Sequence, residues 1–261
     1  MRRRALSFLL GAVSGTLGGM MGVGGGTILV PLLVYVLHEE QHQAQGTSLA
    51  FVITALVAAA SYYTFESLDL PVALYLILGA VPGVILGARL AAVTPGPRLR
   101  VAFGVLMALS AIRLMAAPTH GALGTGPWPA PVHVLLGLVV GVLAGLLGIG
   151  GGAILVPVLV LGENFDQHTA QGTSLLMIVP VGIIGMVSYA RQGKLSSRGL
   201  PTLLAGGAVG AFAGSLLAHQ IHAPTLTRLF ALLLLAMAAQ MIFVRPRGKV
   251  ARSAATTGGS S

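Results

Sequence analysis

Residues 22–31 read Gly-Val-Gly-Gly-Gly-Thr-Ile-Leu-Val-Pro, and residues 148–157 read Gly-Ile-Gly-Gly-Gly-Ala-Ile-Leu-Val-Pro. A second string, Ala-Gln-Gly-Thr-Ser-Leu, occupies residues 44–49 and recurs at residues 170–175. Both pairs are separated by the same offset, 126 residues. A duplicated apolar chain with a glycine interruption at matching places in each half is typical of membrane transporters. We therefore expect a substrate to bind at the interruptions and their polar companions.

The composition predicts that lipid is the solvent for most of this chain. The 261 residues are 55% hydrophobic and 8% charged, with a mean hydropathy of +0.91, whereas soluble domains carry about 25% charged residues. The net charge is +9, but the basic residues lie in short loops and at the termini, as the positive-inside rule predicts, so nucleic acid is not an expected partner. The absence of cysteine excludes disulfides and thiolate metal sites.

Eight apolar segments predict an all-α, polytopic membrane protein of about eight transmembrane helices in two homologous repeats. The segments are approximately 6–37, 44–62, 70–92, 99–116, 132–162, 170–190, 200–218 and 225–244. The first and fifth exceed the roughly 20 residues of one span and contain the glycine triplets. The predicted organisation is a first repeat at 6–116, a Pro/Gly-rich linker at 117–131, a second repeat at 132–244 and a disordered basic tail at 245–261.

Each glycine-broken segment is either one long crossing or two half-helices that re-enter the membrane. With single crossings and a cytoplasmic N-terminus, 11 of the 15 Lys and Arg residues are cytoplasmic, and the exceptions are Arg89, Arg98, Arg100 and Arg228. This distribution favours single crossings, parallel repeats and cytoplasmic termini, but re-entry, which would invert the repeats, stays open. Residues 1–20 resemble a signal peptide, yet their pattern recurs in the second repeat, so we expect an uncleaved anchor.

Glycines spaced four residues apart predict close helix packing. They fall in segments one, three, five and seven, as Gly11/Gly15/Gly19, Gly79/Gly83/Gly87, Gly137/Gly141/Gly145 and Gly206/Gly210/Gly214. Residues four apart share one helix face, and a glycine face lets a second backbone approach closely. We therefore expect these four segments to form the tightly packed centre.

The two repeated motifs are the candidate substrate-binding residues. The triplets Gly24, Gly25, Gly26 and Gly150, Gly151, Gly152 should open the helix and present N–H groups to an anion, although a hinge without a ligand is the alternative. Neutral donors come from Gln45, Gly46, Thr47, Ser48 and from Gln171, Gly172, Thr173, Ser174. In each set the glutamine and serine, three apart, share a helix face, and the alternative role for these residues is N-capping.

The ionisable residues favour an anion carrier over a cation carrier or an enzyme. No Asp, Glu or Lys lies deep in an apolar segment, so we predict no catalytic residues, no metal and no cofactor. His42 and His168 match across the repeats and could couple transport to protons, although solvated loop positions are the favoured interpretation. A metal site from His38, Glu39 and His42 is disfavoured because the second repeat has Asn164 where the first histidine would stand.

The paired Gly-x-Gly-Gly-Gly-x-x-x-x-Pro motif and the Gln-Gly-Thr-Ser string together resemble the TauE/SafE sulfite-exporter-like (toluene-sulfonate uptake) permeases over roughly residues 6–244. The resemblance implies a multi-pass inner-membrane permease for small sulfur-containing anions such as sulfite or sulfoacetate. Its binding residues would be those of the two repeated motifs. The expected partners are the anionic substrate and the lipid bilayer, and a homo-oligomer stays open. A passive anion channel or a non-transporting membrane scaffold is the alternative.

Overall fold

The computed structural model describes residues 2–37, 39–91, 96–116, 128–148, 150–193 and 199–243. These residues form only helices and short connections, which confirms the predicted all-α class. The helices of the first repeat are α1 (Arg2–Met21), α2 (Gly26–Val36), α3 (Gln41–Phe51), α4 (Ala55–Thr64), α5 (Leu70–Leu90) and α6 (Gly96–Ala116). Those of the second are α7 (Ala130–Leu147), α8 (Gly152–Gly162), α9 (Gln167–Arg191), α10 (Leu200–Gln220) and α11 (Ala223–Phe243).

Within the described ranges, 6 helices are long and apolar enough to cross a membrane, so the prediction of a polytopic membrane protein is confirmed, although not the count of eight. One of them runs from Gln43 to Thr64 through α3, a single 3-10 turn and α4. Most of the predicted linker, residues 117–127, and the whole predicted tail lie outside the described residues.

The glycine triplets turn the chain back instead of letting it continue. The N–H groups of Val23 and Gly24 donate to the carbonyl of Gly18 at 3.0 and 3.2 Å, which closes the end of α1. Gly25 has φ 72° and lies against the carbonyl of Ser14, so α2 runs back along α1. Gly151, with φ 90°, lies in the same way against Val140 of α7. The single crossing that the charge distribution favoured is therefore wrong, because each first helix ends in a hairpin.

The glycine stripes join helices of different repeats. On α10, a Cβ at Gly206, Gly210 or Gly214 would overlap the carbonyl of Phe8, Ala12 or Thr16 respectively, all on α1. The positions rise together along both helices, so α1 and α10 run parallel. The stripe on α5 meets α7 in the same order, from Gly79 against Val134 to Gly87 against Val142. The predicted close approach of these four segments is confirmed, as two pairs.

These contacts show that the repeats are inverted relative to each other. Ser48 of α3 donates to the carbonyl of Gly26, and α3 continues away from α2, so α3–α4 runs parallel to α1. Ala88, near the end of α5, packs against Leu49, in the first half of the span Gln43–Thr64, and α5 begins just after that span ends, so α5 runs opposite to α1. Its counterpart in the second repeat, α10, runs parallel to α1. Corresponding helices therefore point in opposite directions, and α6 ends on the side where α7 begins.

Among the six spans, the most buried are those that carry the polar strings. In the most apolar 18-residue window of the span that contains α3 and α4, 78% of the residues are buried, and in that of α9 the share is 56%. The share falls to 39% in α5, α7 and α10, so these three glycine-striped helices are closely paired but lie outside the most buried spans. A glycine stripe brings one helix face close to a partner and leaves the opposite face free for lipid.

Candidate functional site

The two glycine breaks lie against each other. A Cβ on Gly152, the first residue of α8, would lie 2.7 Å from the carbonyl oxygen of Gly22 and 2.9 Å from the Cα of Val23. No side chain fits at this point, since both neighbours are backbone atoms. All six triplet glycines are buried. The structure thus brings the two predicted motifs together at one place, where opened backbone from both repeats is enclosed by protein.

Each break also faces a glutamine of the other repeat. A Cβ on Gly22 would lie 2.6 Å from the Cα of Gln171, and one on Gly148 would lie 2.6 Å from the Cβ of Gln45. The amide nitrogen of Gln45 donates to the carbonyl of Leu147, the last residue of α7, at 3.2 Å. The glutamine of each polar string therefore contacts the glycine break of the other repeat, which sequence order alone does not reveal.

The breaks point helix N-termini into this enclosed region. Gly25 and Gly151 are the N-caps of α2 and α8, and neither helix start has a side-chain cap. The first N–H groups of a helix have no partner within it, and the partial positive charge there favours anions. Both N-caps have left-handed φ values, 72° and 90°, which a residue with a Cβ adopts only at a cost.

The Gln-Gly-Thr-Ser strings lie inside helices and do not cap them. The N-caps of α3 and α9 are Glu40 and Asp166, and the Asp166 carboxylate accepts from the N–H groups of His168 and Thr169. The N-capping alternative is therefore excluded for both strings. The serines hold the breaks, because Ser48 donates to the carbonyl of Gly26 at 2.8 Å and Ser174 donates to the carbonyl of Gly22 at 2.9 Å.

Gln171 is the residue best placed to meet a ligand. Its side chain is fully buried, and its Oε1 accepts from the hydroxyl of Tyr62 at 2.9 Å. Its Nε2 has no hydrogen-bond partner among the described residues, and neither has the hydroxyl of Thr47. Thr173, by contrast, accepts from the N–H of Asp69 at 3.0 Å. Leaving a buried donor unpaired costs about 1–3 kcal/mol, so these two groups favour an acceptor.

The remaining glycines of the strings allow tight packing. Gly46 and Gly172 are buried within their helices. A Cβ on Gly172 would overlap the carbonyl of Ser67, in the turn between α4 and α5. This glycine brings the turn against the first part of α9 and so keeps Tyr62 beside Gln171.

Two buried tyrosines belong to this region and were missed from the sequence. Tyr62, in the last turn of α4, donates to Oε1 of Gln171 at 2.9 Å, and the carbonyl of Met20 lies 3.4 Å from the same hydroxyl. Tyr189, near the end of α9, donates to the carbonyl of Gly145 at 3.2 Å. Each hydroxyl therefore holds the end of the first helix of its own repeat. The signal available was a tyrosine near the end of the second apolar segment in both repeats.

One acidic side chain is buried at the open end of the α7–α8 hairpin. Glu163, which follows α8, is 5% exposed, and its carboxylate oxygens lie 3.0 and 2.9 Å from Nε2 of His133 on α7. The N–H of Trp128 donates to the same carboxylate at 2.8 Å. In the sequence Glu163 follows the fifth apolar segment directly, and the return of the hairpin encloses it against α7.

The histidines chosen as coupling candidates have different surroundings. His168 is half-buried and stacks on His219 with ring centroids 5.4 Å apart. The other stacking partner of His219 is the ring of Phe65. Nδ1 of His168 has no partner among the described residues. The side chain of His42, and the whole of His38, lie outside the described part of the chain.

Comparison with known proteins points to one family. The family described as Sulfite exporter TauE/SafE matches residues 6–252. The chain is 28% identical over 261 residues to "Probable membrane transporter protein YunE" of Bacillus subtilis strain 168, covering 90% of this chain and 96% of that protein. It is 29% identical to "Probable membrane transporter protein YdhB" of the same organism, covering 80% of this chain and 86% of that protein. A "Probable membrane transporter protein" of Xylella fastidiosa strain Temecula1 is also 29% identical, covering 86% of this chain and 89% of that protein. No solved structure matches the chain significantly.

Proposed function

The chain belongs to the sulfite exporter TauE/SafE family of membrane proteins, and from this premise we propose that it is a secondary transporter of small anions, most specifically sulfur oxyanions or organosulfonates such as sulfite or sulfoacetate. The anion binds where the two glycine breaks meet. The amide of Gln171 and the hydroxyl of Thr47 donate to it, and the N-termini of α2 and α8 contribute their partial positive charge.

The observation that carries this proposal is the meeting of the two glycine breaks beside Gln171. Opened backbone of both repeats lies there in buried surroundings, with an unpaired amide donor at the same place. Neutral donors suit a substrate that must also leave, because a fully charged partner would hold an anion more tightly in a site of low dielectric constant. Sulfonate and sulfite oxygens are acceptors that fit such donors.

The pairing of helices limits how alternating access can occur. The α1–α10 and α5–α7 pairs each contain one helix from each repeat, with backbone against backbone. Movement of the first repeat as one body against the second would have to break both pairs. We propose instead that the hairpin tips shift against the central helices α3–α4 and α9, and that Tyr62 and Tyr189 hold the tips in place.

We further propose that both termini are cytoplasmic and that the membrane is the inner membrane. In the inverted arrangement α1 begins, and α5, α9 and α11 end, on the same side. Thirteen of the 15 Lys and Arg residues flank helix ends on that side, and the exceptions are Arg113 and Arg228. The positive-inside rule assigns this side to the cytoplasm. The inverted arrangement thus agrees with the rule better than single crossings do.

The test is uptake of radiolabelled anions into proteoliposomes. Sulfite, sulfoacetate, thiosulfate and sulfate would be compared for the wild type, the double variant Gln45→Leu/Gln171→Leu, and the control Gln43→Leu, which changes a glutamine in α3 that faces neither break. We expect saturable flux of one sulfur anion in the wild type and the control, and none in the double variant. Unchanged flux in the double variant would remove these glutamines from the site, whereas flux that never saturates would indicate a channel.

A further inference from the structure

A groove of about 450 Å³ lies between the final turns of α5 and α9, away from the glycine breaks. Its walls are mainly aliphatic, and Ile85, Ile183 and Val187 are 36, 41 and 39% exposed. The two helices belong to the apolar spans, so this exposed face meets lipid chains and not water. Arg89 and Arg191 lie at the end of the groove, each in the last turn of its helix.

The two arginines are exposed, and neither has an ion-pair partner in the described part of the chain. A guanidinium binds phosphate oxygens through two parallel hydrogen bonds, which makes arginine a strong phosphate ligand. Ser188 lines the same groove, but its hydroxyl donates to the carbonyl of Ile184 at 2.9 Å, so the arginines are the phosphate ligands. One end of the groove therefore attracts a phosphate, while the rest accepts hydrocarbon.

The dimensions fit one lipid molecule. From Ile183 to Arg191 the groove follows α9 for about 12 Å, at about 1.5 Å per residue. That length accommodates the upper part of an acyl chain below a headgroup held by the arginines. Because α5 and α9 both end on the side where α1 begins, the arginines lie in the leaflet that the proposed orientation makes cytoplasmic. Anionic lipids give that leaflet its negative potential, and basic pockets between helices bind their headgroups.

We propose that this groove is a binding site for an anionic phospholipid, with the headgroup phosphate between Arg89 and Arg191 and one acyl chain along Ile85, Ile183 and Val187. A free anion is the less suitable occupant, because most of the groove wall is aliphatic and open to the bilayer. The site does not depend on the identity of the transported substrate.

Native mass spectrometry of the purified full chain tests this assignment. Delipidated protein would be incubated with phosphatidylglycerol, with phosphatidylcholine, or with phosphatidylglycerol and excess inorganic phosphate. We expect the wild type to retain phosphatidylglycerol over phosphatidylcholine. Each of Arg89→Gln and Arg191→Gln should reduce its retention about fivefold, and the double variant about thirtyfold. Arg113→Gln removes a last-turn arginine of α6, which lies on the other side of the membrane and outside the groove, and should bind like the wild type.

A second variant, Ile183→Trp, fills the groove and keeps both arginines. Because the side chain at this position is 41% exposed and faces lipid, we expect the larger ring to be tolerated in the fold. We expect it to displace the phospholipid as well. Equal retention of the two lipids, full retention in the double arginine variant, or full retention in Ile183→Trp would each overturn the proposal. Complete displacement by inorganic phosphate would also overturn it, since the site would then recognise a free anion.

Discussion

The His133–Glu163 pair fastens the open end of the α7–α8 hairpin. At the matching positions, 126 residues earlier, the first repeat has Ser7 and Leu37. The side chains of the pair are 3% and 1% exposed, and the carboxylate also accepts from the N–H of Trp128. Glu163→Leu leaves the buried imidazole and this N–H without their acceptor. Leaving each of these two buried donors unpaired costs about 1–3 kcal/mol, so we expect a loss of roughly 2–6 kcal/mol.

The double variant His133→Ser/Glu163→Leu carries the residues of the first repeat at both positions. It distinguishes the cost of unpaired buried donors from a simple loss of packing. It removes the imidazole along with the carboxylate, so only the N–H of Trp128 lacks an acceptor, at a cost of about 1–3 kcal/mol. We therefore expect the double variant to be more stable than Glu163→Leu by roughly 2 kcal/mol.

Reversible unfolding in mixed micelles, followed by the fluorescence of Trp128, measures these differences. The sequence contains a single tryptophan, Trp128, whose N–H donates to the carboxylate of the pair. Its fluorescence therefore reports on this hairpin directly. A double variant no more stable than the single one, or a Glu163→Leu variant within about 1 kcal/mol of the wild type, would refute the reasoning.

Three further outcomes are expected. Tyr62→Phe removes the hydroxyl that holds the central glutamine and should weaken substrate binding about tenfold, measured as KM in proteoliposomes; Tyr63→Phe, on a side chain 63% exposed, should leave KM unchanged. Gly18→Ala puts a methyl into the backbone of the first glycine break and should abolish the monodisperse peak in size-exclusion chromatography. In this cysteine-free chain, Glu40→Cys should react with an impermeant maleimide from the N-terminal side and Glu66→Cys from the other, and the reverse pattern would support single crossings.

The sequence predicted close helix packing at the glycine stripes because its cause is local. A glycine every fourth residue makes a smooth face on any helix, wherever that helix lies, and the partner of such a face is another helix backbone. The choice of partner was not predictable, since a stripe does not say which helix approaches it. The direction of the hairpins was also missed. The signal was the length of α2 and α8, 11 residues each, which is half of what a span needs.

The candidate site was predictable only where the two repeats agree. Comparing them identified the glycine triplets and the polar strings, and the structure brings these motifs together. The same comparison concealed His133 and Glu163, because their counterparts Ser7 and Leu37 share none of their chemistry. It also could not show that Gln171 faces the break of the first repeat, since a contact between repeats depends on their relative orientation and not on either sequence.

The crossed pairing of the glycine-striped helices has a consequence for how such a chain can originate. A single repeat contains one helix of each pair and the partner of neither. Two copies of that repeat, inserted into the membrane in opposite orientations, would supply both missing partners and form an antiparallel homodimer with the same contacts. After duplication and fusion, the two copies need only keep their opposite orientations. The linker between α6 and α7 requires no extra crossing, because α6 ends on the side where α7 begins. The fold is that of a dual-topology dimer joined into one polypeptide, and co-expressed half-chains should reassemble only when their orientations are opposed.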